Sequence, residues 1–116
     1  MSETDCLFCS IASKKTNTPF IFEDKEIIVF EDIAPKAPNH LLIIPKKHIA
    51  TLNDITDEDT LLIGHMMQIA KQEAQKLDIA EAGYRLLLNC NPDGGQVIYH
   101  IHLHLLGGRK LHWPPG

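Results

Sequence analysis

Three histidines alternate with apolar residues in one short stretch, Tyr99-His100-Ile101-His102-Leu103-His104-Leu105-Leu106. Successive side chains of a β-strand point to opposite faces. The pattern therefore predicts a strand with all three imidazoles on one face and Ile101, Leu103 and Leu105 on the other. Same-face neighbours on a strand sit about 6–7 Å apart. That spacing suits gripping different oxygens of one phosphate, or one metal ion. Histidine is also the side chain that titrates nearest neutrality.

The rest of the composition narrows the setting. At 116 residues the chain predicts one domain, residues 1–116, with a real hydrophobic core. A net charge of -4, with acids and bases interspersed, argues against a nucleic-acid partner. No apolar run approaches the roughly 20 residues of a membrane span. The polar, acidic start Met1-Ser2-Glu3-Thr4-Asp5 does not read as a signal peptide. With three cysteines, an odd number, a disulfide framework is disfavoured and a cytoplasmic setting is expected.

Local signals predict mixed α and β structure. Thr4 or Asp5 is placed to cap a short helix through Leu7, Phe8, Ile11 and Ala12. Phe20-Ile21-Phe22 and Ile27-Ile28-Val29-Phe30 read as strands around a turn at residues 23–26, and His40-Leu41-Leu42-Ile43-Ile44 as a third, ended by Pro45. Thr56-Asp57-Glu58-Asp59 is an N-cap signal for a long helix carrying Leu62, Met66, Ile69, Ala70, Glu73 and Leu77 on one face. Tyr84 to Asn89 is a fourth strand, Asn91-Pro92-Asp93-Gly94-Gly95 a turn, and the histidine stretch the fifth strand. The tail from Gly107 to Gly116 is irregular. The expected fold is α+β: a five-stranded, mainly antiparallel sheet with one long and one short helix.

Three readings of the histidines are open: filler, a metal site, or a phosphate-transfer site in which a neutral imidazole attacks phosphorus. The surroundings favour the third. Gly94-Gly95-Gln96 lets backbone N–H groups approach an anion. Asn89 is expected on the strand that this turn would pair with the histidine strand, and Asp32 at a strand end can accept hydrogen bonds from hydroxyls.

His-Ile-His-Leu-His-Leu-Leu resembles the signature of the histidine triad proteins. Phe30-Glu31-Asp32-Ile33-Ala34-Pro35-Lys36-Ala37-Pro38, Ile44-Pro45-Lys46-Lys47-His48, Gly94-Gly95-Gln96 and Gly107-Gly108-Arg109 are similar to its Hint branch, the histidine triad nucleotide-binding proteins. The resemblance implies a homodimer with one ten-stranded sheet, and hydrolysis of purine nucleoside phosphoramidates with no cofactor in the chemistry. It implies His102 as nucleophile, forming a nucleotidyl-histidine. His104 would hold the phosphate and assist the leaving amine, and His100 and His40 would support the array. Asp32 would bind ribose hydroxyls; Asn89 and the Gly95-Gln96 backbone would hold phosphate and leaving group. Leu7, Phe8, Ile11, Phe30, Ile33 and Leu42 would line the base slot, and Trp113 would reach toward the partner's site. Val97 stands where most Hint relatives carry Ser or Thr. Dinucleoside polyphosphate hydrolysis, or a nucleotide- or partner-binding module with weak activity, are the alternatives.

Cys6-Leu7-Phe8-Cys9 alone reads as two thiols near a helix start. Some relatives with this motif bind zinc, and the resemblance implies Cys6, Cys9, His48 and His100 as ligands of a structural zinc. Cys90, His65 and His112 read as structural or exposed.

Overall fold

The computed structural model describes residues 5–116. Helix α1 spans Leu7–Ala12. Its N-cap is Cys6, whose Sγ accepts the Cys9 N–H at 3.4 Å. The cap is therefore not Asp5, and Thr4 lies outside the described residues. A thiolate or thiol at this position satisfies one of the free amides of a helix start.

Five strands follow: β1 (Phe22–Glu23), β2 (Ile27–Glu31), β3 (Asn39–Pro45), β4 (Tyr84–Leu87) and β5 (Leu103–Gly107). They form one antiparallel sheet in the order β1-β2-β3-β5-β4. β1 is shorter than expected. Ile21 still donates its N–H to Val29 at 2.8 Å, but Phe20 pairs with nothing in the sheet. β4 stops at Leu87, so Asn89 lies beyond it.

Thr56 caps a 3-10 turn, Asp57–Asp59, with its own N–H bonded to the Asp59 carboxylate at 2.9 Å. The long helix α2, Thr60–Lys76, starts after that turn and buries Leu62, Met66, Ile69, Ala70, Glu73 and Ala74. Leu77 is the C-cap and is half-buried. No helix among the described residues is long and apolar enough to cross a membrane.

The largest departure from expectation is at the histidines. Only His104 lies within β5. Pairing with β3 ends at Ile43↔Leu103, and pairing with β4 at Leu87↔His104. Upstream, the main chain is spent on other contacts. Ile101 donates its N–H to Ile49 at 2.6 Å, and the His100 carbonyl accepts from the His102 ring at 2.7 Å. Backbone polar groups buried in a core must be satisfied somewhere; here one is met by the Ile49 carbonyl and the other by the His102 imidazole.

The alternation itself survives. Ile101, Leu103 and Leu105 join Val29, Leu41, Ile43 and the α2 residues in the main core. On the other face a second cluster joins Cys6, Phe8 and Ile11 of the α1 segment to Ile28, Phe30, Leu42 and Ile44. Phe30, Leu42, His104 and Leu87 are register partners in one row across four strands, so they share that second face. The sheet thus carries its large core toward α2 and its histidines toward α1.

Candidate active site

A cavity of about 430 Å³ opens between α1, the second face of the sheet and the loop after Asp32. One wall is apolar: Phe8, Ile11, Phe30 and Leu42 are each buried and line it, with Leu7 and Ile33 at the rim. The other wall holds His40, His102, His104, Asn89, Gly95 and Val97. These residues come from α1, β2, β3, β5 and two loops, and the register above brings them together. Asp32 lines the same cavity and donates its N–H to the His40 carbonyl at 3.0 Å. A larger groove of about 710 Å³ lies beyond it, shares Thr18, Glu31, Asp32 and Ile33, and contains no histidine.

The ring of His102 is fixed from both sides. The Phe8 ring meets it edge-on with centroids 5.0 Å apart. Its Nδ1 sits 2.7 Å from the His100 carbonyl. A carbonyl only accepts, so Nδ1 carries the proton and Nε2 of the neutral ring keeps its lone pair. Burial lowers the pKa of His102, a trend its own hydrogen bond to the His100 carbonyl opposes. Neutral rings are thus favoured throughout the array. Burial also pushes His104 down to about 4 and lowers His40.

His100 does not share the cavity. It is fully buried, its Nε2–H donates to the Pro45 carbonyl at 2.8 Å, and its Nδ1 faces a separate cluster. Cys6 Sγ is 3.4 Å from that nitrogen, Cys9 Sγ 3.5 Å and His48 Nδ1 3.2 Å. Cys9 Sγ is 3.2 Å from His48 Nδ1. A tetrahedral zinc with Zn–S of about 2.3 Å and Zn–N of about 2.0–2.1 Å needs donors about 3.3–3.8 Å apart. Two sulfurs and two nitrogens, all within 4.8 Å of one another, match that closed structural geometry. Held there, a metal would tie α1 to His100, whose ring, like that of His102, packs against Phe8.

Two other expected residues, Gln96 through its backbone and Trp113 toward a partner's site, do not line this chain's own cavity. The Gln96 side chain braces its loop instead of lining the cavity: it donates to the Ala50 and Ile98 carbonyls at 2.8 and 3.1 Å and accepts the Asn91 N–H at 2.9 Å. Trp113 is 81% exposed and absent from the cavity lining. Asn89 does line it, and its amide donates to the Gly94 carbonyl. That contact holds the glycine turn, in which Gly95 has φ +83° and leaves only 3.4 Å between a would-be Cβ and the Asn89 amide. Sequence reasoning missed Thr18, Glu31, Ala34, Lys36 and Ile98 as lining residues. All but Glu31, the last residue of β2, sit in loops, where no periodicity marks a side chain's direction. His65 is hydrogen-bonded to Asp24 at 2.6 Å and remote from the site's residues in that contact.

Two expectations follow from this geometry. His104 titrates at about 4 when folded and near 6.5 when unfolded, and His40 shifts in the same direction. The unfolded chain therefore binds more protons in that window, and stability present above pH 6.5 is lost as pH falls toward 4. Thermal melts of metal-free protein should show Tm falling across this range and flat above it; a Tm constant from pH 7 to 4.5 would contradict the buried neutral imidazoles. Protein expressed with added zinc should carry about one metal per chain by elemental analysis, with both thiols of Cys6 and Cys9 protected from alkylation. A value near zero, with both thiols reactive, would reduce the motif to two packed cysteines.

Comparison with known proteins agrees with the geometry. The sequence family described as "Scavenger mRNA decapping enzyme C-term binding" matches residues 5–112. An uncharacterized HIT-like protein of Synechococcus elongatus is 45% identical over 116 residues, covering 100% of both chains. The crystal structure of a HIT family hydrolase from Legionella pneumophila superposes with a TM-score of 0.95 at 56% identity, covering 97% of this chain and 100% of that one. A histidine triad nucleotide-binding protein from Candida albicans is similar at a TM-score of 0.81 and 30% identity, over 95% of this chain and 83% of that one. The alternating histidines, the single antiparallel sheet and these likenesses over nearly the whole length together make this chain a member of the histidine triad (HIT) superfamily.

Proposed function

We propose that the protein hydrolyses purine nucleoside 5′-phosphoramidates through a nucleotidyl-histidine on His102, in the manner implied by its resemblance to the Hint branch. The observation that carries this reading is the His102 ring. Its Nδ1–H is bound to the His100 carbonyl at 2.7 Å, which leaves Nε2 as a nucleophile at the cavity wall. The Legionella neighbour is named a hydrolase, and the Candida one a nucleotide-binding protein.

The cavity supplies the remaining parts. The apolar wall of Phe8, Ile11, Phe30 and Leu42 suits a flat base. The Asp32 carboxylate, ordered by the Ala34 N–H at 2.8 Å, accepts from ribose hydroxyls. His104 faces the phosphate, with the Gly95 turn and Asn89 beside it. In this account the His102 Nε2–P bond forms as the P–N bond breaks, and water then releases the nucleoside monophosphate. Of the candidate zinc ligands only His100 bears on these steps, through the carbonyl that holds the His102 ring. A second copy pairing along β4, which ends the sheet and so presents an edge, would form the implied ten-stranded dimer. Such a dimer gives the exposed Trp113 a partner surface.

His102→Ala should abolish phosphoramidate turnover while leaving AMP affinity within about tenfold, or ~1.4 kcal/mol. Turnover assays with calorimetric titration of AMP check this, and mass spectrometry of protein quenched during turnover should show a nucleotide adduct on His102. Substantial turnover by His102→Ala would remove covalent catalysis from the account.

Val97 is 84% exposed at the cavity wall and offers no donor. A hydrogen bond to a charged group is worth about 1.5–3 kcal/mol. If formed at the transition state, it raises the rate roughly ten- to a hundredfold. Val97→Ser should accordingly raise kcat for a phosphoramidate by about that factor, with monophosphate affinity changed less. Equal or slower turnover in a side-by-side kcat/KM measurement would show that the absent hydroxyl is not limiting.

A further inference from the structure

Behind His104 the hydrogen bonds have only one consistent arrangement of protons. The Lys36 main-chain N–H donates to His40 Nδ1 at 3.0 Å. A backbone amide is always a donor, so that nitrogen carries no proton. Neutral His40 must then hold its proton on Nε2, which lies 2.9 Å from His104 Nδ1. His104 Nδ1 is therefore an acceptor, and the proton of neutral His104 is on Nε2. Reversing His40 would set an N–H against the Lys36 N–H.

The charged groups facing this pair do not alter the ordering. The Asp32 Oδ2 atom is 3.5 Å from His40 Nε2, a longer approach than the 2.9 Å to His104. Its Oδ1 is engaged by the Ala34 N–H. His102 lies on the other side of His104, ring centroids 4.9 Å apart, and its own proton is committed to the His100 carbonyl.

Two consequences follow for chemistry. First, Asp32, His40 and His104 have donor atoms within 4.8 Å of one another, yet they are a poor metal site. Metallation of His40 at Nε2 would require its proton on Nδ1, against the Lys36 amide. Second, the chain of hydrogen bonds has no proton to deliver. If His104 gave up its Nε2 proton it would need another at Nδ1, taken from His40. His40 could replace that proton only from an amide that does not release it.

We propose that His104 acts as a fixed, neutral hydrogen-bond donor to the phosphate, oriented by His40 and the Lys36 amide, and that it is not the acid that protonates the leaving amine. His40 is then a positioning residue. The low pKa of His104, about 4, agrees with a ring that stays neutral. In the reaction proposed above, the His102 Nε2–P bond forms and the P–N bond breaks with its electron pair on nitrogen. That nitrogen takes a proton from solvent, and one is returned when water cleaves the nucleotidyl-histidine. The kinetic part of this inference rests on the phosphoramidate reading; the proton arrangement does not.

The test has two arms. Nitrogen-15 NMR of histidine-labelled protein at pH 7 should show His104 protonated at Nε2 and unprotonated at Nδ1, with and without AMP. An imidazolium or an Nδ1–H ring at His104 would overturn the assignment, whatever the substrate. In the kinetic arm, His104→Gln keeps an N–H donor but cannot give up a proton. It should retain kcat within about tenfold of the parent, whereas His104→Leu should lose about a hundredfold or more, the cost of one transition-state donor. Across phosphoramidates of amines of graded basicity, His104→Gln should show the parent's dependence on the amine. A steeper dependence in His104→Gln, with AMP binding and melting unchanged, would restore His104 as the acid. If the parent turns over no phosphoramidate, the functional reading fails, and the NMR arm still decides the proton arrangement.

Discussion

The hydrogen bond from the His102 ring to the His100 carbonyl is the contact on which the site turns. It spans only 2.7 Å and two residues, yet it requires the strand to end before it reaches these histidines. In a continued β-ladder the His100 carbonyl would face a neighbouring strand. Pairing stops at Leu103 and His104 instead, and the freed carbonyl selects the tautomer of the His102 ring. The sheet gives up ladder upstream of Leu103, and the site gains an oriented lone pair.

His100 has a second set of partners. Its ring is anchored on the Pro45 carbonyl and presents Nδ1 to two thiols and His48. One residue thus joins His102 to the Cys6–Cys9 segment, which begins α1. Helix α1 in turn supplies Phe8, whose ring packs edge-on against His100 and His102 at 6.0 and 5.0 Å. The apolar slot, the candidate metal ligands and the His102 ring are three parts of one packed unit. Substitutions at Cys6 or His48 would therefore be felt at His102 through packing, even though neither residue lines the cavity.

The buried imidazoles divide the labour by their hydrogen-bond partners more than by their charge. His102 donates to a carbonyl and presents a lone pair. His40 accepts from an amide and donates its single ring N–H to His104. Four histidines of identical chemistry thereby hold different atoms toward the cavity and the thiols; three assignments follow from a main-chain group nearby, and that of His104 follows from His40.

Much of this was legible in the residues. The two-residue period of Ile101, Leu103 and Leu105 named the face that packs against α2, because alternation in extended chain holds whether or not the ladder continues. The five strands and two helices followed from apolar runs bounded by turn residues, and Cys6, Cys9, His48 and His100 were paired through resemblance alone. Tertiary structure decided the rest. It ended the histidine strand at Leu103, since strand length depends on what neighbouring carbonyls bind and no local propensity records that. It turned Gln96 inward to brace a loop and left Trp113 exposed. It brought the Lys36 amide onto His40, a main-chain contact that no side-chain pattern encodes. Period and composition determine which face is buried; which proton sits on which nitrogen is set by atoms far apart in the chain.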